Sequence, residues 1–328
     1  MKKIIIIFIG ILIVSFMFYK SETVVEDPRK VIGVLMTGEN RLLKLEGLRD
    51  GLNKFGYTEN QLQFLIKQAE DDARQLDVLA YELLEEEVDM IASFGGIETQ
   101  VLNEILIEKE KEVPVVFVGM AAPLEVGIID DFRQPKGNFT GVNNYHMSMS
   151  SKRLELFHEL LPDLERVVVL YSEGIDISRR SLQVTKEAAE KIDMPILPTN
   201  IEEIEDLQKL KEILTSNDGI LTMPSFQIEG LTDQIVAVSM EYQIPAMGVY
   251  KDDVHAGYLV SYGTSFYGQG YQAARHISLI LQGNQPQDIP VELPDQLEFY
   301  LNEGMLQELN ITINKDLMNF VEIVGEER

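Results

Sequence analysis

Few side chains in this sequence occur at spacings that catalysis requires. The histidines are scattered, no two of them have metal-ligand spacing, and positions on helix faces or at the surface explain all four: His146, His158, His255 and His276. The absence of cysteine excludes thiolate ligands, cysteine nucleophiles and disulfides. The chain also lacks a G-x-S-x-G nucleophile elbow and a P-loop. We therefore expect a binding protein with no cofactor and no enzymatic activity.

One glycine pattern is similar to a nucleotide-binding fingerprint. Residues 268–273 read G-x-G-x-x-A and lie between a predicted strand and a predicted helix. A dinucleotide fold also needs a following strand with an acidic end, whereas a Gly-Asn-Gln-Pro loop follows at 283–286. We therefore interpret the pattern as the start of an ordinary helix.

The candidate binding residues are those that follow predicted strands. In open α/β sheets, ligands bind beyond the carboxyl ends of the strands. Glycines there let a backbone approach a ligand, and aromatic rings supply flat apolar walls for a small organic solute. The predicted site consists of Thr37, Gly38, Glu39, Gly95, Gly96, Thr99, Met120 and Ala122 from the first half of the chain and Tyr145, Tyr171, Ser172, Phe226, Gln227, Tyr250 and Tyr262 from the second.

Two features of this set allow a second interpretation. Gly95 and Gly96 open a predicted helix, whose N-terminus can hold a carboxylate, or they only permit a tight turn between strand and helix. Tyr171, Tyr250 and Tyr262 either line the site or simply cap their strands. The sequence leaves both choices open.

The elements that position these residues alternate between strand and helix from Lys30 onward. Short apolar runs such as 31–36 and 113–118 predict buried parallel strands, and the apolar face of 42–55 predicts a helix. This alternation predicts an α/β fold with parallel sheets. A length of 328 residues suits two Rossmann-like lobes, with the strand at 137–142 as the crossover between them.

Four segments carry a resemblance to a known family. They are VPVVF at 113–117, APLEVGII at 122–129, GNFTGV at 137–142 and ELLPDLERVVVLY at 159–171. Their order resembles that of the ABC-transporter substrate-binding family with the type I periplasmic-binding-protein fold, some of whose members bind aromatic amino acids. The resemblance extends over residues 31–313. It implies a ligand cleft between two lobes. It also implies that the chain crosses from one lobe to the other three times.

The resemblance also implies a function and the limits of the lobes. A protein of this family would capture a small organic solute, amino-acid-like or aromatic, by lobe closure and present it to ABC permease and ATPase subunits in the membrane. The alternative is a membrane-tethered ligand sensor whose closed form engages a signalling partner. The expected lobes of this monomer are 30–143 with 261–285 and 144–260 with 286–328, after a leader and linker at 1–29.

The sequence departs from the family at two places in the expected site. Members that bind α-amino acids usually carry Asp where this chain has Ala122, and a Thr-Asp-Asn-like run where it has Ser-Phe-Gln at 225–227. A buried ammonium group needs a carboxylate or several acceptors. Either Glu39 or Glu98 therefore takes this role, or the ligand has no ammonium group.

The N-terminus and the net charge predict where the protein acts. A basic Met-Lys-Lys head precedes the apolar run at 4–19, which is the pattern of an export signal. No A-x-A-like cleavage site follows, which favours an uncleaved anchor that tethers the exported protein to the outer face of the cytoplasmic membrane. With 28 Lys and Arg against 54 Asp and Glu, the formal net charge is -26, which disfavours nucleic acid and anionic lipid as partners.

Overall fold

Five parallel strands from the first part of the chain form one sheet. The computed structural model describes residues 29–135 and 137–324. The strands of this sheet are β1 (Lys30–Met36), β2 (Leu62–Gln68), β3 (Met90–Ser93), β4 (Val115–Met120) and β5 (Phe139–Asn143). The helices between them are α1 (Leu42–Lys54), α2 (Leu76–Glu85) and α3 (Gly96–Lys109). The strand order is β2-β1-β3-β4-β5.

Burial on both faces explains why these segments form a parallel sheet. Every residue of β3, β4 and β5 is buried. Strands of this kind need a helix layer on each side. On one side α1 contributes Leu48 to a core that also contains Val34, and on the other side α2 contributes Leu83 to a core that contains Phe117. The helices therefore cover the sheet and leave its carboxyl edge open.

Seven strands form the second sheet. They are β6 (Arg166–Tyr171), β7 (Ile196–Asn200), β8 (Asp218–Thr222), β9 (Ala246–Gly248), β10 (Val260–Gly263), β11 (Glu298–Asn302) and β12 (Val321–Val324), in the order β12-β11-β10-β9-β8-β6-β7. The helices after β5 are α4 (Ser150–Leu160), α5 (Asp176–Ile192), α6 (Asp206–Ile213), α7 (Phe226–Glu229), α8 (Thr232–Tyr242), α9 (Lys251–Ala256), α10 (Phe266–Leu281) and α11 (Glu303–Glu308). The sheet is parallel except where β10 pairs with β11.

Helix α10 packs against α1 of the first lobe, and glycines permit the close approach. A Cβ atom at Gly47 would lie 2.0 Å from the carbonyl oxygen of Tyr267, and one at Gly270 would lie 1.9 Å from that of Lys44. Such contacts are possible only without a side chain. The G-x-G-x-x-A pattern at 268–273 therefore serves the packing of two helices.

The chain passes between the lobes three times, after β5, after β10 and before β11. Residues 261–263 belong to β10 and are hydrogen-bonded in the second sheet, although the sequence expectation assigned them to the first lobe. Val291 packs in the core of the first lobe, and Glu292 bridges to Val142 of β5. We therefore propose lobes of 30–143 with 264–292 and 144–263 with 293–324.

The long predicted strands and helices are present, with small differences at their ends. The pattern did not predict the short elements α7, α9, α11, β11 and β12. Across the two described ranges, no helix has the length and apolar character that a membrane span requires. The predicted export signal and anchor falls on residues 1–28, outside the described part of the chain.

Candidate ligand-binding site

A cavity of about 250 Å³ lies between the two lobes. Residues just past β3, β4 and β5 form one wall, and residues just past β6, β8 and β9 form the other. The carboxyl ends of the two sheets therefore face each other across the cavity. The lining residues that concern its chemistry are Arg41, Gly96, Ile97, Gln100, Ala121 and Asn144 from the first lobe and Ile175, Asp176, Arg179, Phe226, Glu229 and Tyr250 from the second.

The first turn of α3 forms part of the wall in the first lobe. Gly95 precedes the helix without a side-chain cap, and Gly96 and Ile97 line the cavity. Backbone N–H groups in the first turn of a helix have no partner within the helix, and the helix dipole places partial positive charge there. This turn can therefore accept an anionic group of a ligand.

Hydroxyl groups fix the opposite wall. The Oγ atom of Ser225 accepts the N–H of Ile228 and so caps α7. The same Oγ lies 2.7 Å from the Oγ of Ser172, which in turn donates to the carbonyl of Ile201. These buried bonds hold the start of α7, so that Phe226 presents an apolar surface to the cavity.

Two arginines pair with Asp176, which begins α5. Nη2 of Arg179 lies 2.8 Å from one carboxylate oxygen and Nε of Arg180 lies 2.6 Å from the other. The hydrogen bond from Arg180 and the nearby positive charges lower the pKa of Asp176. Ile175 and Ile177 on either side add apolar surface to the wall. This carboxylate is therefore compensated within its own lobe.

An ion pair joins the two lobes at the cavity. Nη2 of Arg41, in the short 3-10 turn before α1, lies 3.0 Å from Oε2 of Glu229 at the end of α7. The hydroxyl of Tyr250 donates to Oε1 of the same carboxylate at 2.8 Å. Nη1 of Arg41 donates to the carbonyl of Phe94 at the end of β3. The pair therefore holds the lobes in contact in this structure.

Glu98 is fully buried beside this ion pair. Its Oε1 accepts the N–H of Thr37 at 3.0 Å and the Thr37 hydroxyl, and lies 3.8 Å from Nε of Arg41. Its Oε2 has no hydrogen-bond partner among the described residues. Burial lowers the pKa of Arg41, but the carboxylates of Glu229 and Glu98 outweigh it, so the pKa is raised. Arg41 therefore stays charged between two carboxylates.

Lys44 is buried one helical turn beyond Arg41. Its Nζ donates to the carbonyls of Phe94 and Val118, at 3.0 and 2.8 Å, and lies 5.3 Å from the centre of the Phe266 ring. Burial and then the charge of Arg41 lower the pKa of Lys44 well below its usual range. The lysine therefore ties α1 to the strand ends.

His146 lies behind Tyr250 and is fully buried. Its Nδ1 is 2.5 Å from Nη2 of Arg153, and its ring meets the Tyr250 ring edge-on with 4.6 Å between centroids. Burial and then the charge of Arg153 lower the pKa of His146 well below its usual range. The expectation that every histidine lies on a helix face or at the surface is wrong here, because His146 occupies a buried turn after β5.

Three of the predicted site residues line the cavity: Gly96, Phe226 and Tyr250. Others support its walls. Thr37 holds Glu98, and Ser172 holds Ser225. Five more predicted residues do not line the cavity but are next in sequence to residues that do: Gly95, Thr99, Met120, Ala122 and Gln227.

The other predicted residues lie elsewhere. Gly38 packs against Asp71, and Glu39 lines a separate cavity on the far side of the ion pair. Tyr145 is 39% exposed. Tyr171 and Tyr262 pack on the core of the second lobe, so of the three strand-end tyrosines only Tyr250 lines the cavity.

Sequence reasoning did not single out most of the polar lining residues. Asn144 directly follows β5 and meets the same strand-end rule as the predicted residues. Arg41 and Glu229 lie further along, in a short 3-10 turn and in the one-turn helix α7. Such short elements show no apolar periodicity, so the sequence contained no signal for the direction of these two side chains.

A two-lobed α/β fold with a cavity between facing carboxyl edges defines the class of bilobed solute-binding proteins. Residues 31–322 match the family model described as ABC transporter substrate binding protein. The chain belongs to this family, whose members are extracytoplasmic, and the resemblance seen in the sequence is confirmed.

Individual relatives agree with this assignment. The chain is similar to the tyrosine-binding protein of Clostridioides difficile (strain R20291), with 23% identity over 81% of this chain and 76% of the relative. It shares the fold of the ABC domain in complex with L-Trp from Streptococcus pneumoniae, at a TM-score of 0.81 and 22% identity over 90% and 99% of the two chains. It also shares the fold of a conserved domain protein from Vibrio cholerae, at a TM-score of 0.82 and 21% identity over 90% of this chain and 99% of the other. The family description and the name of the C. difficile relative are those of binding proteins and not of enzymes.

Proposed function

We propose that this protein is the solute-binding component of an ABC importer and that its solute is an amino-acid-like molecule with an apolar or aromatic body. The observation that carries the proposal is the interlobe cavity of about 250 Å³, with a helix N-terminus on one side and Phe226 on the other. Sites for drug-sized ligands measure roughly 300 to 1,000 Å³, so this one suits a smaller solute. Two relatives, one named tyrosine-binding and one in complex with L-Trp, support the choice of solute.

The walls suggest how such a solute is oriented. Its carboxylate lies against the first turn of α3, where Gly96 and Ile97 face the cavity. Its apolar body lies between Ile97 and Phe226, one from each lobe. Because the solute contacts both lobes, it binds the closed arrangement better than an open one and shifts the equilibrium between them.

The transport role assigns the protein its partners and its place. The closed, loaded form of a monomer is presented to permease and ATPase subunits in the membrane. The apolar run at 4–19 tethers the protein to the outer face of that membrane. Membrane fractionation with mass spectrometry of the N-terminus tests the tether, and a mature start between Ser21 and Glu26 would contradict it.

A thermal-shift screen of the body from Glu26 onward tests the solute class. Common amino acids and aromatic acids are compared with sugars. A solute at 100 times its dissociation constant stabilises the folded form by about 2.7 kcal/mol, which such a screen detects readily. We expect an aromatic amino acid to give the largest shift. Stabilisation by sugars alone would overturn the proposal.

Two matched phenylalanine substitutions locate the binding site. Phe226→Ala removes an apolar wall of the cavity and should reduce the solute-induced shift. Phe320→Ala makes the same change at a side chain that is 75% exposed and does not line the cavity, and should leave the shift intact. Equal effects of the two substitutions would place the solute elsewhere.

A further inference from the structure

The cavity holds two carboxylates that differ in their counter-charges. Asp176 pairs with Arg179 and Arg180, both on its own helix. Glu229 pairs with Arg41, but this arginine also lies 3.8 Å from the carboxylate of Glu98. One guanidinium therefore contacts two carboxylates, whereas Asp176 is paired with two arginines.

The nearest other cation, Lys44, acts on Glu98 and Glu229 through space and not through a hydrogen bond. The Nζ atom of Lys44 donates to the carbonyls of Phe94 and Val118 and has no hydrogen bond to either carboxylate. Oε2 of Glu98, fully buried, has no hydrogen-bond partner among the described residues. Among the described residues, Arg41 is thus the only side-chain cation hydrogen-bonded to Glu229, and an ammonium group brought in by a ligand would add a second.

Glu229 is the member of this group that a ligand can reach. Its side chain is 16% exposed and lines the cavity, whereas Glu98 is fully buried and does not line it. Arg41 and Tyr250 each donate to a different oxygen of Glu229, which fixes the carboxylate plane. Each carboxylate oxygen can accept a further bond, so an incoming N–H donor finds an oriented acceptor.

We propose that Glu229 binds an ammonium group of the ligand and thereby makes the protein selective for α-amino acids over their deaminated analogues. The inference rests on the proposed function, because it adds an amine subsite to the same cavity. It differs from the sequence-based alternatives. Glu39 lines another cavity and Glu98 is out of reach, whereas Glu229 lines the cavity that holds the solute.

Calorimetry with paired ligands tests the assignment. Binding of phenylalanine and tryptophan is compared with that of 3-phenylpropionate and indole-3-propionate, for the unmodified protein and for Glu229→Gln. One charge-assisted hydrogen bond corresponds to about a ten-fold difference in affinity or more. We expect the affinity of Glu229→Gln for the two amino acids to be at least about ten-fold lower than that of the unmodified protein. The affinity for the deaminated acids should change by less than about three-fold, because their carboxylate and apolar contacts lie elsewhere.

Two further variants separate recognition from structural effects. Glu229→Asp keeps the negative charge and should keep the preference for amino acids. Glu39→Gln removes a carboxylate outside the cavity and should leave the affinity for both ligand classes unchanged. An equal loss for both ligand classes in Glu229→Gln, or a loss of preference in Glu39→Gln, would overturn the assignment.

The unmodified protein distinguishes the two proposals. If it binds amino acids and deaminated acids equally well, the Glu229 assignment fails while the proposed function stands. If it binds neither class, the proposed function fails, and the amine subsite fails with it.

Discussion

Each buried charge at the cleft is held by several polar neighbours. Arg41 contacts two carboxylates and a backbone carbonyl, and Glu229 receives one donor from each lobe. Charges removed from water are tolerated only with such partners. Arg41 and Glu229 belong to different lobes, so the proposed opening of the cleft would separate them and expose both to water.

Asp253 connects protonation to the position of Tyr250. Its Oδ2 accepts the N–H groups of Val249 and Tyr250 at 2.7 and 2.9 Å, which fixes the loop that carries Tyr250 to the cavity. Burial raises the pKa of this carboxyl to about 7. In the unfolded chain it ionises near its ordinary value of 3.8. The folded state therefore binds the proton more tightly than the unfolded state.

We predict that Asp253→Asn changes the pH dependence of stability. The raised pKa contributes stability that is fully present below pH about 4 and is lost as the pH rises through about 7. The unmodified protein should therefore lose stability relative to Asp253→Asn between these values. Urea unfolding of both proteins at pH 4.5, about 6 and about 8 measures the difference.

Asp176→Asn is a control of opposite sign. The pKa of Asp176 is lowered by its bond to Arg180, so its contribution is present at neutral pH and is lost as the pH falls through the folded-state pKa. The difference in the free energy of unfolding between Asp176→Asn and the unmodified protein should become smaller as the pH falls. The same direction of change for both variants would contradict the sign assigned to Asp253.

At the scale of elements, the pairing of α1 with α10 holds the returning chain on the first lobe. Ala273, Ala274 and Ile277 of α10 enter the same core as Leu48 and Leu52 of α1. This contact matters for the site, because Arg41 directly precedes α1 and Phe266, near Lys44, begins α10. Separation of the two helices would therefore displace one side of the cleft.

We predict that Gly51→Ala destabilises the protein. A Cβ atom there would lie 2.5 Å from Cβ of Ala274 and 2.6 Å from the carbonyl oxygen of Tyr271. Overpacking of this kind costs about 1 to 3 kcal/mol. In a solvent-exposed helix the same substitution would instead stabilise by about 1 kcal/mol. The sign of the change in the free energy of unfolding, measured with urea, is thus diagnostic.

Asn53→Ala is the matched control on the same helix. Asn53 is exposed, so alanine there should leave the helix pair intact and have at most a small effect. A neutral or stabilising Gly51→Ala would show that the two helices do not depend on their close approach.

At the scale of the molecule, the cavity exists only because the lobes are in contact. Each lobe contributes one wall, and the ion pair between Arg41 and Glu229 spans the gap. The chain crossings after β5, after β10 and before β11 are the segments about which the proposed closure would rotate the lobes. The proposed solute would contact both lobes, so its binding would bear on their arrangement.

We predict that an aromatic amino acid shifts the protein toward this closed arrangement. Because the chain has no cysteine, dyes can be attached specifically to Lys54→Cys on the first lobe and Lys209→Cys on the second. Energy transfer between the two dyes should change in proportion to the fraction of protein with bound ligand. A control pair within the first lobe, Lys54→Cys with Val78→Cys, should not respond. Saturation with ligand at constant transfer between the lobes would contradict closure.

The sequence alone determined the α/β class and, through its resemblance to a known family, the two lobes and the family. The α/β class follows from local patterns, because a buried strand such as 115–120 and an apolar helix face such as that of α1 show in their own residues. The edge strand β12 was missed because its exposed Ile323 gives it no clear pattern of burial.

Only the tertiary structure decided which side chains meet in the site. Arg41 and Glu229 lie 188 residues apart, on different lobes, and their pairing depends on the contact between those lobes. The same holds for His146, whose burial results from packing against Tyr250 and Arg153. Periodicity reports whether a residue faces the interior of its own element. The direction of a side chain in a short turn, and its partner across a cleft, depend on non-local contacts that periodicity does not encode.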